Sequence, residues 1–345
     1  MASLSRFRAG DLVEVRSEAE ILQTLDERGM VDGMPFMPEM LQHCGKQFQV
    51  GQSAHKTCDT FHYSGIRSVA RAVHLEGLRC DGSAHGGCQA DCLFFWKDEW
   101  LKPAGAGNTS RRVAPQGKPQ CTSATLLENT RQEDGQRYRC QVTELLNMSR
   151  PWAWWNPMQY LADIRTGNFS PRHVIRTLVL AALRHWINLY PNHQVLVRAY
   201  NSIAVRNGKP CYFNREQLRG PLPPGSKTPG SDSTLQAGDW VRVRPAAEII
   251  ATLSNHRNKG LTFDVEMYPF CGGTYRVRGL VNRLIEEPTG RMLEMKNPCI
   301  KLEGVSCKSE YSEKRFMCPR GIMPYWRPLW LEKVTESEHK ARSQD

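Results

Sequence analysis

Alternating apolar positions open the chain. In "GDLVEVR", Leu12, Val13 and Val15 predict a strand, and "EAEILQTLDERG" then sets Ile21, Leu22 and Leu25 at the spacing of a short helix. "CGKQFQV" reads as a strand entered through a glycine turn, and a hairpin is expected to reverse near "YSG" at Ser64-Gly65. The same order returns from Gly238, where "GDWVRVRPAAEIIATL" carries Trp240, Val241 and Val243, and the matching hairpin is expected to turn near "EPTG". Between these stretches the period changes. "SPRHVIRTLVLAALRHWINLY" predicts a helix with Ser170 as N-cap and Pro171 in the first turn, and Ile175, Leu178, Ala182, Trp186 and Leu189 follow at helical spacing. "TSATLLENT", "YRCQVTELL" and "HQVLVRAYNSIAV" suit strands or short helices.

The recurrence extends beyond the strands. From Cys44 to Cys80 the two stretches align without a gap at an offset of 227, which sets "LEGLRC" on "LEGVSC". Both close alike, "FWKDEWL" with Trp96 and Trp100 and "YWRPLWL" with Trp326 and Trp330, and core packing is the expected role of these four rings. So many matches in one order indicate an internal duplication. Short strands between turn signals suggest small β-barrels. The opening "GDLVEVR", followed by Pro38 and "CGKQFQV", resembles SH3-like barrels of the KOW and nitrile hydratase β-subunit kind. In the second copy Val265 and Gly273 stand where that pattern has its Pro and Lys. The resemblance covers about 40 residues of each copy and implies a fold, not an activity.

The expected fold class is therefore mainly β with an α+β middle. Two SH3-like, Cys-rich modules at 1–102 and 238–334 flank a basic domain at 119–218. Linkers are expected at 103–118 and 219–237 from their Pro, Gly and Ser content, and a flexible tail at 335–345.

Charge is uneven along this frame. The net is −5 over residues 10–102, +10 over 103–237 and +5 over 238–334, and the central excess is mostly arginine. A basic segment interleaved with Trp and Tyr suits phosphate contact and base stacking, or an acidic protein surface. The candidate binding surface is Arg111, Arg112, Arg137, Arg139, Arg150, Trp152, Trp154, Trp155, Arg172 and Arg176. No apolar run reaches the eighteen or so residues of a membrane span, so no membrane partner is expected. The first residues lack a signal-peptide core, which points to the cytoplasm, where thiols stay reduced.

Twelve cysteines in a reducing compartment point to metal ligation. Cys44 aligns with Cys271, Cys80 with Cys307 and Cys88 with Cys318, whereas Cys58 faces Ile285 and Cys299 faces Ala72. If positions 58 and 72 oppose one another across the hairpin, a thiolate from either strand reaches one vertex of a tetrahedral site. The expected ligands are Cys58, Cys80, Cys88 and Cys92 in the first module and Cys271, Cys299, Cys307 and Cys318 in the second. Cys44, His55 and His85 are substitutes, and Cys44 and Cys271 read equally as core thiols. Zinc at two sites is the expected cofactor, and the same ligands would also suit an iron–sulfur cluster.

Walker, Rossmann, HExxH and nucleophile-elbow motifs are all missing from the chain. The expectation is a non-catalytic, metal-stabilised binding or scaffold protein whose basic centre engages nucleic acid or an acidic partner. The alternatives are a zinc or iron metalloenzyme with one open Cys/His site, or an accessory subunit of an enzyme complex.

Overall fold

The structure, a computed structural model, describes residues 3–61, 64–105, 120–132, 134–190, 193–231, 233–312 and 314–335. The described chain is rich in antiparallel sheet with a few helices. It divides into two compact units. The first comprises Met1–Val174, Arg283–Glu294 and Met317–Gly321; the second comprises Ile175–Asn282, Met295–Phe316 and Ile322–Asp345.

In the first unit, β1 (Leu12–Val15) lies between β2 (Gln47–Ser53) and β7 (Leu101–Pro103). β2 pairs with β5 (Ala72–Leu75), which pairs with β6 (Trp96–Lys97), giving the order β6-β5-β2-β1-β7. A second sheet joins β3 (Lys56–Asp59), β4 (Gly65–Val69) and β8 (Ser149–Pro151). The apolar alternation read from the sequence sets the inner face: Val13, Val15, Val50, Trp96 and Trp100 are fully buried. Phe36 meets the Trp100 ring edge-on with centroids 5.0 Å apart. Helix α1 (Glu18–Leu22) starts at a Ser17–Glu20 capping box and buries Ile21. Beyond the sheets come α2 (Ser123–Glu128), capped by Thr122, and α3 (Pro157–Arg165), capped by Asn156.

In the second unit, β9 (Trp240–Val243) lies between β10 (Thr274–Ile285) and β12 (Leu331–Lys333), and β10 neighbours β11 (Met292–Leu302); the last residues of β10 and the first of β11 fall within Arg283–Glu294 and count with the first unit. The reversal between β10 and β11 falls at "EPTG", as read from the sequence. Pairings correspond between the units: Val13 opposes Phe48 where Val241 opposes Tyr275, and Val15 opposes Leu101 where Val243 opposes Leu331. Trp326 and Trp330 are as fully buried as Trp96 and Trp100, so all four rings have the core role expected of them. Helix α4 (Pro171–Leu189) occupies the predicted stretch, with the Ser170 hydroxyl accepting from the His173 N–H. "HQVLVRAYNSIAV" resolves as helix, α5 (Gln194–Val205), and α6 (Ala246–Ala251) precedes the last strands.

Two expectations need correction. Cys58 does not oppose Ala72. β3 ends at Asp59 and β4 begins at Gly65, so the reversal lies nearer Cys58 than a turn at Ser64-Gly65 requires. Cys58 pairs with Ile66, and Ala72 pairs with Lys97. The stretch 219–237 is also more than a linker. Gly220–Pro221 pairs with Ser254–Asn255, Leu235 is buried in the core of the second unit, and the Thr228 hydroxyl accepts from the Lys259 N–H. Most of the expected linker at 103–118, and the tail from 336, lie outside the described residues.

Candidate metal centre

The loop from Cys80 to Cys92 gathers the chemistry of the first unit. Its ends are tied, since the Cys80 N–H donates to the Cys92 carbonyl at 2.8 Å and Arg79 bridges to Leu93. Inside the loop the chain folds back on Gly82, whose carbonyl accepts from the N–H groups of His85 and Gly87. Gly82 has φ +73°, and a Cβ there would lie 2.1 Å from the Cys88 carbonyl oxygen, so only glycine closes this turn. The Thr130 hydroxyl fixes the far side by donating to the Ala84 carbonyl.

This fold delivers His85 to a buried position between two partners. Its Nε2 lies 3.4 Å from Cys80 Sγ, and its Nδ1 lies 2.8 Å from Glu39 Oε1. Glu39 comes from a 3-10 turn, Pro38–His43, and also accepts the Ala84 N–H at 2.9 Å. Its other oxygen, Oε2, is buried with no hydrogen-bond partner among the described residues. Glu39, Cys80 and His85 are the one described group of three or more potential ligands whose donor atoms lie within 4.8 Å of one another.

Further thiols surround this triad. Burial pushes the Cys80 thiol far above its ordinary range, and charge on Glu39, Cys92 or Cys140 pushes it further. Burial likewise raises Cys92 to about 12, against the opposing effect of Arg320 and with added repulsion from Cys140 and Cys88. Cys140 is raised to about 11 by burial, with Cys88 adding to the shift. Cys88 Sγ accepts the backbone N–H of Ile285 at 3.3 Å. Burial holds Cys80, Cys92 and Cys140 as thiols unless a cation sits among them.

The other expected ligands are placed elsewhere. Cys58 packs as a buried residue of β3, and its carbonyl accepts from Arg320, which is paired with Glu287. His55 belongs to a separate ionic cluster, with Nε2 at 3.4 Å from Asp163 while Lys56 Nζ pairs with the same carboxylate at 2.5 Å. Cys44 and Cys271 pack against the two cores, in keeping with core thiols. In the second unit Cys299 accepts from Arg327 at 3.4 Å, and Cys307 Sγ lies 3.4 Å from the Ser309 hydroxyl. Cys318 falls within the first unit. The structure therefore draws neither expected quartet into one group, and it adds two residues the sequence reading missed. Cys140 lies outside the two aligned stretches, and Glu39 precedes the loop by about forty residues. The one available signal was that Glu39 and Glu266 share the 227 offset.

Of the candidate binding surface, Arg137, Arg150, Trp154, Trp155 and Arg172 are exposed, Trp155 by 69%. Trp152, Arg139 and Arg176 are partly buried, and Arg139 pairs with Glu144. Arg111 and Arg112 lie outside the described residues. No helix among the described residues is long and apolar enough to cross a membrane. Comparisons of the chain with family models, with curated proteins and with solved structures gave no match.

Proposed function

We propose that the protein is a metal-stabilised binding protein whose first unit holds one thiophilic divalent cation, with zinc the best fit, on Cys80 and His85. The observation that carries this reading is the Cys80–His85–Glu39 arrangement. Two ligands on one tetrahedral zinc, with sulfur at about 2.3 Å and nitrogen at about 2.0–2.1 Å, stand about 3.6 Å apart. The Sγ–Nε2 separation of 3.4 Å fits that spacing. A carboxylate on the far ring nitrogen is the usual device for orienting a metal-bound histidine. Cys92, Cys88 and Cys140 are the thiols at hand to complete the shell. A cation would reverse the raised pKa values of Cys80, Cys92 and Cys140, because thiolate ligands release their protons on binding. The duplication and the SH3-like character of both modules belong to the same proposal, supported by the matched pairings around β1 and β9. Exposed Arg150, Trp154 and Trp155 support nucleic acid or an acidic surface as the partner.

Metal content per chain, measured on protein purified without added metal, tests this reading, together with the visible spectrum after cobalt substitution. One equivalent of zinc and a thiolate–cobalt band lost in Cys80→Ser support it. Protein that neither carries metal nor takes up cobalt would sink it. A second reading rests on the same three residues, since thiol, imidazole and carboxylate in that order also form a nucleophile, base and orienting group. The environment opposes it, because burial and neighbouring anions hold Cys80 as the thiol. Rapid alkylation of Cys80 by iodoacetamide at neutral pH would favour this second reading.

A further inference from the structure

Helix α4 wears its apolar stripe outward. Ile175, Val179, Ala182, Trp186, Leu189 and Tyr190 fall on one side at helical spacing, and all are exposed, Ile175 by 62%, Trp186 by 51% and Leu189 by 55%. The opposite side buries Thr177, Arg184 and Ile187. Arg184 is spent internally, donating to the carbonyls of Tyr311 and Phe213 and lying over both rings. α4 and α5 share a small core of Ile187, Tyr200 and Ala204, so the helical pair is held from within. At the C-terminal end of the stripe Trp186 and Tyr190 stack, 5.9 Å apart and 13° from parallel. α5 exposes Val195, Arg198 and Val205, and Arg206 follows at its end, also exposed.

Charge identifies the occupant. From Ile164 to Arg215 the sequence contains no Asp or Glu and eight arginines and lysines. Arg184 is spent internally and Lys209 pairs with Glu310, which leaves Arg172, Arg198 and Arg206 exposed; helices that combine aliphatic residues, a Trp/Tyr pair and arginine and carry no carboxylate of their own suit the boundary of an anionic lipid layer. There the apolar ridge enters the acyl boundary, the aromatic rings rest at headgroup level and the arginines meet phosphate. A second copy is a poor occupant, because pairing this face with itself brings arginine against arginine with no acid on either helix to offset it.

We propose that the outer face of α4 and α5 docks the protein peripherally on anionic lipid surfaces. This stands on the helical pair alone and is independent of the metal. The test is flotation of the full chain with vesicles of phosphatidylcholine containing roughly a third phosphatidylglycerol, against pure phosphatidylcholine. Trp186→Glu and Arg198→Glu serve as variants, with circular dichroism and size-exclusion chromatography as controls; both positions are exposed, so the fold should survive. The expected result is flotation with the anionic vesicles only, weakened by salt and reduced about tenfold or more by either substitution. Failure to float with anionic vesicles would overturn the proposal, as would flotation that Trp186→Glu leaves intact. A dimer in the absence of lipid that Trp186→Glu dissolves would assign the face to a second copy. Polyglutamate binding that depends on Trp186, without vesicle binding, would assign it to an acidic protein.

Discussion

The two loops that follow the matched strands start from the same anchor and end differently. Glu39 and Glu266 are both buried on equivalent 3-10 turns, Pro38–His43 and Val265–Phe270. Glu39 Oε1 accepts the Ala84 N–H, and Glu266 Oε1 accepts the N–H of Tyr311, 227 residues after Ala84. The Cys80 N–H donates to the Cys92 carbonyl, and the Cys307 N–H donates to the Ile322 carbonyl, each at 2.8 Å. Glu266 is then satisfied by backbone, adding the N–H groups of Ser312 and Glu310. Glu39 instead meets a side chain, because His85 stands at the position of Ser312, and it keeps one oxygen without a partner. A carboxylate that is closed by peptide groups and the Ser312 side chain in one loop faces an imidazole in the other. His85 against Ser312, and Cys92 against Ile322, are two of the differences between the loops.

The largest effect that can break this comparison is metal loss. Cys80→Ser and His85→Ala should abolish retained metal and lower the unfolding midpoint of the first unit, whereas Cys307→Ser and Ser312→Ala should leave metal content unchanged. Elemental analysis with calorimetry checks this, and equal losses from both loops would end the asymmetry. Next come the frames themselves. Trp100→Ala and Trp330→Ala should each cost about 3–5 kcal/mol in denaturant unfolding, since both remove a fully buried ring. A large inequality would show that the matched pairings hide unlike cores. Smaller again are the anchors. Glu266→Gln should cost about 1–3 kcal/mol by weakening its charged contacts to three backbone N–H groups. Glu39→Gln should lower metal affinity about 10–100-fold by unsettling the histidine. Competition with a chromophoric chelator distinguishes the two roles.

The smallest effect is a slope with pH, to which Asp163 of the first unit contributes. Burial, outweighing Lys56, raises the Asp163 carboxyl to about 6. Between its ordinary range and that value the folded state holds a proton that the unfolded chain has released, so the contribution of Asp163 falls as pH rises, against the opposite slope from His55, which burial lowers to about 3. Asp163→Asn should remove the falling contribution and leave stability rising more steeply with pH, while lowering it overall, because it leaves Lys56 buried without its counter-charge. An unchanged slope in that variant would place the titration elsewhere.

Much of the frame was legible. The Gly-Asp strands, the paired tryptophans and α4 follow from apolar period, from Ser170 and Pro171, and from the match between the two aligned stretches. The site was half legible. Cys80, Cys88, Cys92 and His85 lie within thirteen residues, so their proximity is local. Glu39 and Cys140 reach the loop only through tertiary folding, and no spacing rule encodes that. The opposition of Cys58 and Ala72 failed because register depends on where a turn closes, and a few residues of error move a thiol to a different neighbour. The α4 stripe teaches a related limit. Its period is plain in the sequence, but period does not say whether the stripe faces the core or the solvent.

The first unit is discontinuous, with pieces from Arg283–Glu294 and Met317–Gly321 completing what Val174 leaves unfinished. During synthesis at about 5–20 residues per second, the roughly 140 residues between Val174 and Met317 take about 7–30 s to appear. Throughout that interval the nascent chain has the loop of Cys80 and His85 but lacks Arg320, which lies among the thiols, and for most of it also lacks Ile285, whose N–H meets Cys88. Early zinc capture would hold the loop through this wait, and its absence would leave reactive sulfur exposed on the ribosome.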